Sequence, residues 1–426
     1  MMFWFFVILV IMIFVGFPIY VCLTGASLIY FLLNSNVSMV IFIQKLMNAP
    51  NNFTLLAIPF FILAAQIMNR GKITDRIFKF STSLVGHFCG GLGYVNVLSS
   101  VIFSGMSGSA TADAGGLGLV EIKAMRDANY DDDFIIGITA ASSTIGPIIP
   151  PSIPFVLYGA LANVSVGGLF VGGVVPGIIM GLSLSVMVFL FSKKRHYPIS
   201  KRVSLKEIVL SIKSTFLALL MPMIILGGIW GGFFTPTEAA FISIVYALIL
   251  SLFIYKSIKF KEIPSLMLDT IKLTAPAIIL VSAANIFGWI MIYEKVDQLF
   301  MNAVFGITHN RYLILLIINA ILLFLGMFVD VISSIMLVLP ILGPISTALA
   351  IHPIHLGVIV VLNLMIGLLT PPVGGLLYIL SSVTKIPCNK ITIMVLPWII
   401  PLVIVLLLVT FIPDLVLFLP RLLGFV

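Results

Sequence analysis

Charge is what this sequence has least of. Only 9% of its 426 residues are Asp, Glu, Lys or Arg, against 61% hydrophobic, and the mean hydropathy is +1.24. A soluble globular domain carries about 25% charged residues, so this chain lacks the material for a water-facing surface. Cysteine is scarce as well. Cys22, Cys89 and Cys388 are scattered through apolar segments, which excludes a disulfide framework or a thiolate-metal pair and leaves packing thiols. The five histidines form no recognised metal-binding motif, and neither a Ser/His/Asp arrangement nor a nucleotide-binding loop occurs. The expectation is a protein that is not an enzyme, with no cofactor and no transition metal, driven by an ion gradient or by an ATPase on another chain.

Long apolar runs fill the space that charge leaves. About 20 apolar residues carry an α-helix across the hydrocarbon core, and at that depth only helices or closed barrels satisfy the backbone. Runs such as Ile391–Ile412 show no alternation of polar and apolar residues, which excludes the barrel. Met1–Val15 has no basic residues before it and no small-residue cleavage site after it, so it reads as a first spanning helix rather than a signal peptide. The net charge of +8 is concentrated in Arg70–Lys79, Lys193–Lys213 and Lys256–Lys261, each beside the end of an apolar run. That is the positive-inside pattern. It marks topology in a lipid bilayer and implies no nucleic acid.

The chain reads as two halves. Residues 1–192 hold scaffold helices, an interfacial segment, a short-armed hairpin at 88–130 and a broken helix at 134–163. A basic cytoplasmic loop at 193–213 follows. Residues 214–426 repeat the order, with an arm at 294–310, a hairpin at 312–350, a broken helix at 355–383 and a C-terminal helix. Phe103-x-Gly105-Met106 recurs as Phe324-x-Gly326-Met327, and Pro150-Pro151 recurs as Pro371-Pro372, both 221 residues on. Placing the basic loops in the cytoplasm opens the first hairpin inward and the second outward. Inverted repeats with broken helices meeting at the midplane point to the binding site of a secondary transporter.

Four stretches carry the chemistry. The tip Ser104–Asp113 is the most polar segment at membrane depth, and its hydroxyls and freed carbonyls are hard oxygen ligands for an alkali cation. Close packing alone needs small residues but neither a helix stop nor Asp113. The double prolines within Gly146–Ser152 and Thr370–Gly375 remove backbone N–H groups, and unwound backbone is tolerated only beside protein or a cavity. Asp330, at the second tip, is an intramembrane acid suited to a cation. Glu238, after Thr235-Pro236-Thr237, reads as a helix-capping acid, and Asp131–Asp133 as the solvated foot of a hairpin.

Together these residues resemble a known family. Phe103–Gly118, Glu121–Ala128, Thr139–Ser152, the Leu325–Asp330 tip and Thr370–Gly374 are similar to the large membrane (DctM, or M) subunit of tripartite ATP-independent periplasmic (TRAP) transporters, over essentially the whole chain. The resemblance implies an all-α integral membrane fold, an inverted-repeat elevator-type transporter with two re-entrant helical hairpins and two broken helices. It implies sodium-coupled uptake of a carboxylate (a C4-dicarboxylate, sialic acid or another sugar acid) across the bacterial inner membrane. Its expected partners are a small DctQ-type membrane subunit, on a separate chain, and a periplasmic DctP-type binding protein that delivers the substrate. Carried over by motif, one sodium site uses Ser107 and Ser109 with Gly146, Ile149 and Pro151, and a second uses Asp330 with Thr370 and Val373. Thr111, Asp113, Ser152, Ser333 and Gly374 are candidates for the substrate. Two other readings stay open: a stand-alone sodium- or proton-coupled organic-anion symporter or antiporter, and a membrane-embedded enzyme or assembly factor, for which no catalytic dyad is visible.

Overall fold

In the computed structural model, residues 2–48, 50–71, 73–197, 199 and 203–426 are described, and every regular element among them is helical. The first half opens with α1 (Met2–Val15), α2 (Ile19–Leu33) and α3 (Met39–Asn48). A 3₁₀ turn (Phe53–Leu56) leads into α4 (Ala57–Arg70), and α5 (Ile73–Val85) is the short connecting arm. Hairpin 1 rises through α6 (Gly91–Ser107). It returns through α7 (Ala110–Ala112), a π-helical turn (Asp113–Leu117) and α8 (Gly118–Asp127). The broken helix comprises α9 (Asp132–Ser143) and α10 (Ile153–Ala162), and α11 (Val166–Arg195) completes the half.

The second half holds α12 (Leu205–Trp230), α13 (Pro236–Leu248), α14 (Ile263–Tyr293) and the arm α15 (Val296–Ile307). Hairpin 2 is α16 (Arg311–Phe328) with α17 (Val331–Ala348), and the second broken helix is α18 (Pro353–Gly367) with α19 (Gly375–Thr384). α20 (Cys388–Phe411) and α21 (Asp414–Leu422) end the order. Eight of the described helices are long and apolar enough to cross a membrane.

Local chemistry sets the boundaries. Thr235 and Glu238 form a capping box, with Thr235 N–H donating to Glu238 Oε2 at 2.8 Å and Glu238 N–H to Thr235 Oγ1 at 3.3 Å. That matches the capping role read for Glu238. The loop expected at 193–213 is shorter: Lys193–Arg195 form the last turn of α11, and the Ser204–Glu207 capping box starts α12. Residues 198 and 200–202 of that loop lie outside the described residues. The acidic foot is half-exposed and tied to α11, because Arg195 reaches Asp131 at 2.9 Å and Asp133 at 2.6 Å. The Arg195 guanidinium holds the Asp133 carboxyl below its ordinary range.

Inside each half, a polar contact joins the hairpin to its broken helix. Asn96 of α6 donates to Glu121 of α8 at 2.6 Å and to Thr139 of α9 at 3.0 Å, and accepts from Ser142 of α9 at 2.6 Å. Ser99 also donates to Glu121, at 2.6 Å. In the second half, Asn363 of α18 donates to Asn319 of α16 at 2.9 Å. Ser142 and Asn363 stand 221 positions apart. All these side chains are buried, so removing one member leaves its partners unpaired in a low dielectric. Glu121→Ala is expected to destabilise the protein by about 2–4 kcal/mol and Glu121→Gln by clearly less, as read from thermal melts in detergent. Equal melting temperatures for the two variants would contradict a structural role for this network.

Candidate functional site

The two tips are built alike. α6 stops because Gly108 turns left-handed, at φ 58°. A Cβ placed there would lie 2.4 Å from the Pro151 carbonyl oxygen, so only glycine lets tip 1 rest on the first break. Ser109 is extended and caps the next helix, its Oγ accepting from Ala112 N–H at 3.4 Å and lying 2.9 Å from Thr111 Oγ1. At tip 2, Val329 is extended and Asp330 caps α17. The Asp330 carboxylate accepts from the Ser333 N–H at 3.1 Å and from the Ser333 hydroxyl. Ser109 and Asp330 stand 221 residues apart, the same position in each half.

Each tip docks on its own break. Both breaks contain a cis peptide bond, Pro150–Pro151 and Pro371–Pro372. Gly108 O accepts from Ile153 N–H at 3.5 Å, and Met327 O accepts from Gly374 N–H at 3.1 Å. Beside the second contact the backbones of Gly326 and Gly367 touch, since a Cβ on Gly367 would lie 2.6 Å from Gly326 Cα.

Between the tips lies a cavity of about 460 Å³. Tip 1 contributes Ser107, Ser109 and Thr111, tip 2 contributes Asp330, and the facing wall is α4 with Gln66 and Asn69. Both tips meet the cavity through the first turns of helices, whose leading N–H groups have no intrahelical partner and carry partial positive charge. The cavity thus combines an acid, hydroxyls and two helix N-termini. Such a set can hold a small cation and an organic anion side by side. The Ser107 hydroxyl is buried with no hydrogen-bond partner, an available ligand.

The remaining sequence candidates divide. Gly146 lies against the Ser109 backbone, at 3.5 Å from a built Cβ, and the Pro151 carbonyl faces Gly108. Thr370, in the break, donates its hydroxyl back to Ile366 O of α18 at 2.8 Å, and its carbonyl lies beside Gly374. Ser333 serves Asp330, and the Gly374 N–H is taken by Met327. Val373 is 37% exposed and lies outside the cavity lining. The Ile149 side chain turns away to pack on Gly177 of α11. Ser152 is buried, donates to Pro147 O and caps α10. Asp113, the first residue of the π-helical turn, is fully buried off the cavity and accepts from Ser100 of α6 at 3.3 Å. Gln66 and Asn69 were not among the candidates. Their signal was two amides three residues apart, on one face of an apolar helix.

Comparison with known proteins agrees with this architecture. The family description "Tripartite ATP-independent periplasmic transporter, DctM component" matches residues 6–415. The chain is 45% identical to the sialic acid TRAP transporter large permease protein SiaM of Vibrio cholerae, over 96% of each chain. It is 39% identical to the C4-dicarboxylate TRAP transporter large permease protein DctM of Pseudomonas aeruginosa, over 89% of each. The crystal structure of the YdaH transporter of Alcanivorax borkumensis shares the fold, with a TM-score of 0.67 at 12% identity over 89% of each chain. The chain is a multi-pass protein of the bacterial inner membrane and belongs to the DctM family of large permease components of tripartite ATP-independent periplasmic transporters.

Proposed function

We propose that this chain is the translocating subunit of a sodium-driven uptake system for a carboxylate, without catalytic activity of its own. The observation that carries the reading is the cavity between the tips, where Asp330 and two helix N-termini meet. A carboxylate suits the N-terminal N–H groups, and sodium suits the oxygens of Asp330 and the tip hydroxyls. In this reading Ser107 and Ser109 with the Gly146, Ile149 and Pro151 backbone take one sodium ion. Asp330 with the Thr370 and Val373 backbone takes another. The hairpins and broken helices move as one body past α4 and α14, carrying the substrate between the two sides. Relatives named for sialic acid and for C4-dicarboxylates support a carboxylate substrate, and family membership supports a small membrane subunit and a periplasmic binding protein as partners.

Proteoliposomes containing the chain and its small subunit provide the test. Uptake is expected only when an inward sodium gradient and the substrate-loaded binding protein are both supplied. Uptake of equal rate with no binding protein would favour a stand-alone symporter, and uptake indifferent to sodium would remove the proposed driving ion.

A further inference from the structure

We infer that Gln66 and Asn69 are specificity-determining residues that read the uncharged tail of the substrate, selecting a monoanionic polyhydroxylated acid over a short dianion. This rests on the uptake reading and names the substrate class of the same cavity. Gln66 and Asn69 line the wall facing the two tips. Asn69 Oδ1 is buried with no hydrogen-bond partner, and Gln66 is half-buried. A carboxylate held at the tips therefore faces a wall that carries two neutral amide residues, Gln66 and Asn69, the second packing its amide beside Gly116. Each amide offers both donors and an acceptor, which is the complement of hydroxyl and N-acyl groups. It is a poor complement for a second carboxylate, which calls for a cation or a fork of donors.

Charge and size argue the same way. Among the described residues, Asp330 is the one charged side chain lining the cavity, and no lysine or arginine joins it. A dianion would leave its second charge uncompensated at the amide wall, a costly arrangement at this depth. The volume of about 460 Å³ lies within the roughly 300–1,000 Å³ typical of sites for drug-sized ligands. A four-carbon diacid leaves most of that space unfilled, whereas a nine-carbon sugar acid fills more of it.

The purified full chain allows a test that bypasses any selection made by the binding protein. Calorimetry in sodium chloride, with potassium chloride as control, measures sialic acid and succinate as probes against the wild type, Gln66→Ala and Asn69→Ala. Sialic acid is expected to bind in a sodium-dependent way, with succinate at least about tenfold weaker. Each substitution should raise the Kd for sialic acid by about 3- to 10-fold, the loss of one neutral hydrogen bond. Asn69 packs beside Gly116, 3.4 Å from a built Cβ; should its variant fail to assemble, Gln66→Ala carries the test. Succinate binding as tightly as sialic acid, or a Kd unmoved by the substitutions, would overturn the inference. Binding of neither acid would overturn it too, while the proteoliposome assay separately decides the uptake reading.

Discussion

Replacing Asp330 with asparagine is expected to leave the protein assembled and to strip uptake of its sodium dependence. Asparagine is as good a helix cap as aspartate, so it can still accept from the Ser333 N–H that Asp330 engages at 3.1 Å. What it loses is the negative charge, the one charged group among the described residues lining the cavity. Losing a carboxylate ligand worth about 3 kcal/mol corresponds to roughly a hundredfold weaker sodium binding. Asp330→Ala should show the same loss of sodium dependence, plus about 1 kcal/mol of instability from the missing cap. Ser109→Ala, at the equivalent position of tip 1, removes a neutral ligand and should weaken sodium activation by less than about tenfold. Initial uptake rates across a sodium titration separate these cases. A sodium midpoint for Asp330→Asn equal to that of the wild type would refute the proposed ion site.

The second large effect is expected at Gly108. An alanine there meets two obstacles at once: a left-handed backbone at φ 58° and a carbonyl oxygen 2.4 Å from its Cβ. The first costs about 1 kcal/mol. The second cannot be relieved by a side-chain rotation, because the obstacle is the backbone of Pro151, and such overpacking costs about 1–3 kcal/mol more. Tip 1 must then lift from the first break, displacing Ser107 and Ser109. A displacement near 1 Å at positioned groups lowers rates on the order of tenfold to a hundredfold. Gly232 is the matched control. Its φ is also positive, at 70°, but nothing lies within 4 Å of its would-be Cβ. Gly232→Ala should therefore lose about 1 kcal/mol of stability and keep its uptake. Equal uptake by Gly108→Ala and the wild type would show that the seat of tip 1 on the break does not govern the site.

Much of this arrangement was legible in the residues themselves. Helix stops at Gly108 and before Asp330, and breaks at the double prolines, are local events written in glycine, proline and capping side chains. The common 221-residue offset relates them in pairs. The family followed from the same motifs. What escaped was decided by packing rather than by local preference. Asp113 has the residue type and place of a tip ligand, but it is buried inside hairpin 1 against Ser100. No rule of composition announces a single wide turn. α21 is short and follows a break at Ile412 and Pro413, beyond the one C-terminal helix that the apolar run indicates. The charge of 193–213 suggests a loop throughout, although Lys193–Arg195 end one helix and the Ser204–Glu207 capping box starts the next. Gln66 and Asn69 carry no motif, being two amides in an apolar span. Their place in the cavity wall is set by how α4 packs.

The matched caps at Ser109 and Asp330 also bear on membrane voltage. The two positions are equivalent by sequence offset, yet one carries a hydroxyl and the other a carboxylate. When the proposed sodium ions and substrate have left, the charge uncovered is the one on Asp330. A negative charge travelling outward moves with an interior-negative potential, and one elementary charge crossing 100 mV is worth about 2.3 kcal/mol. On the sliding mechanism, the resting potential thus assists the empty carrier back to its outward position, so even the unloaded half of the cycle runs in the direction of uptake.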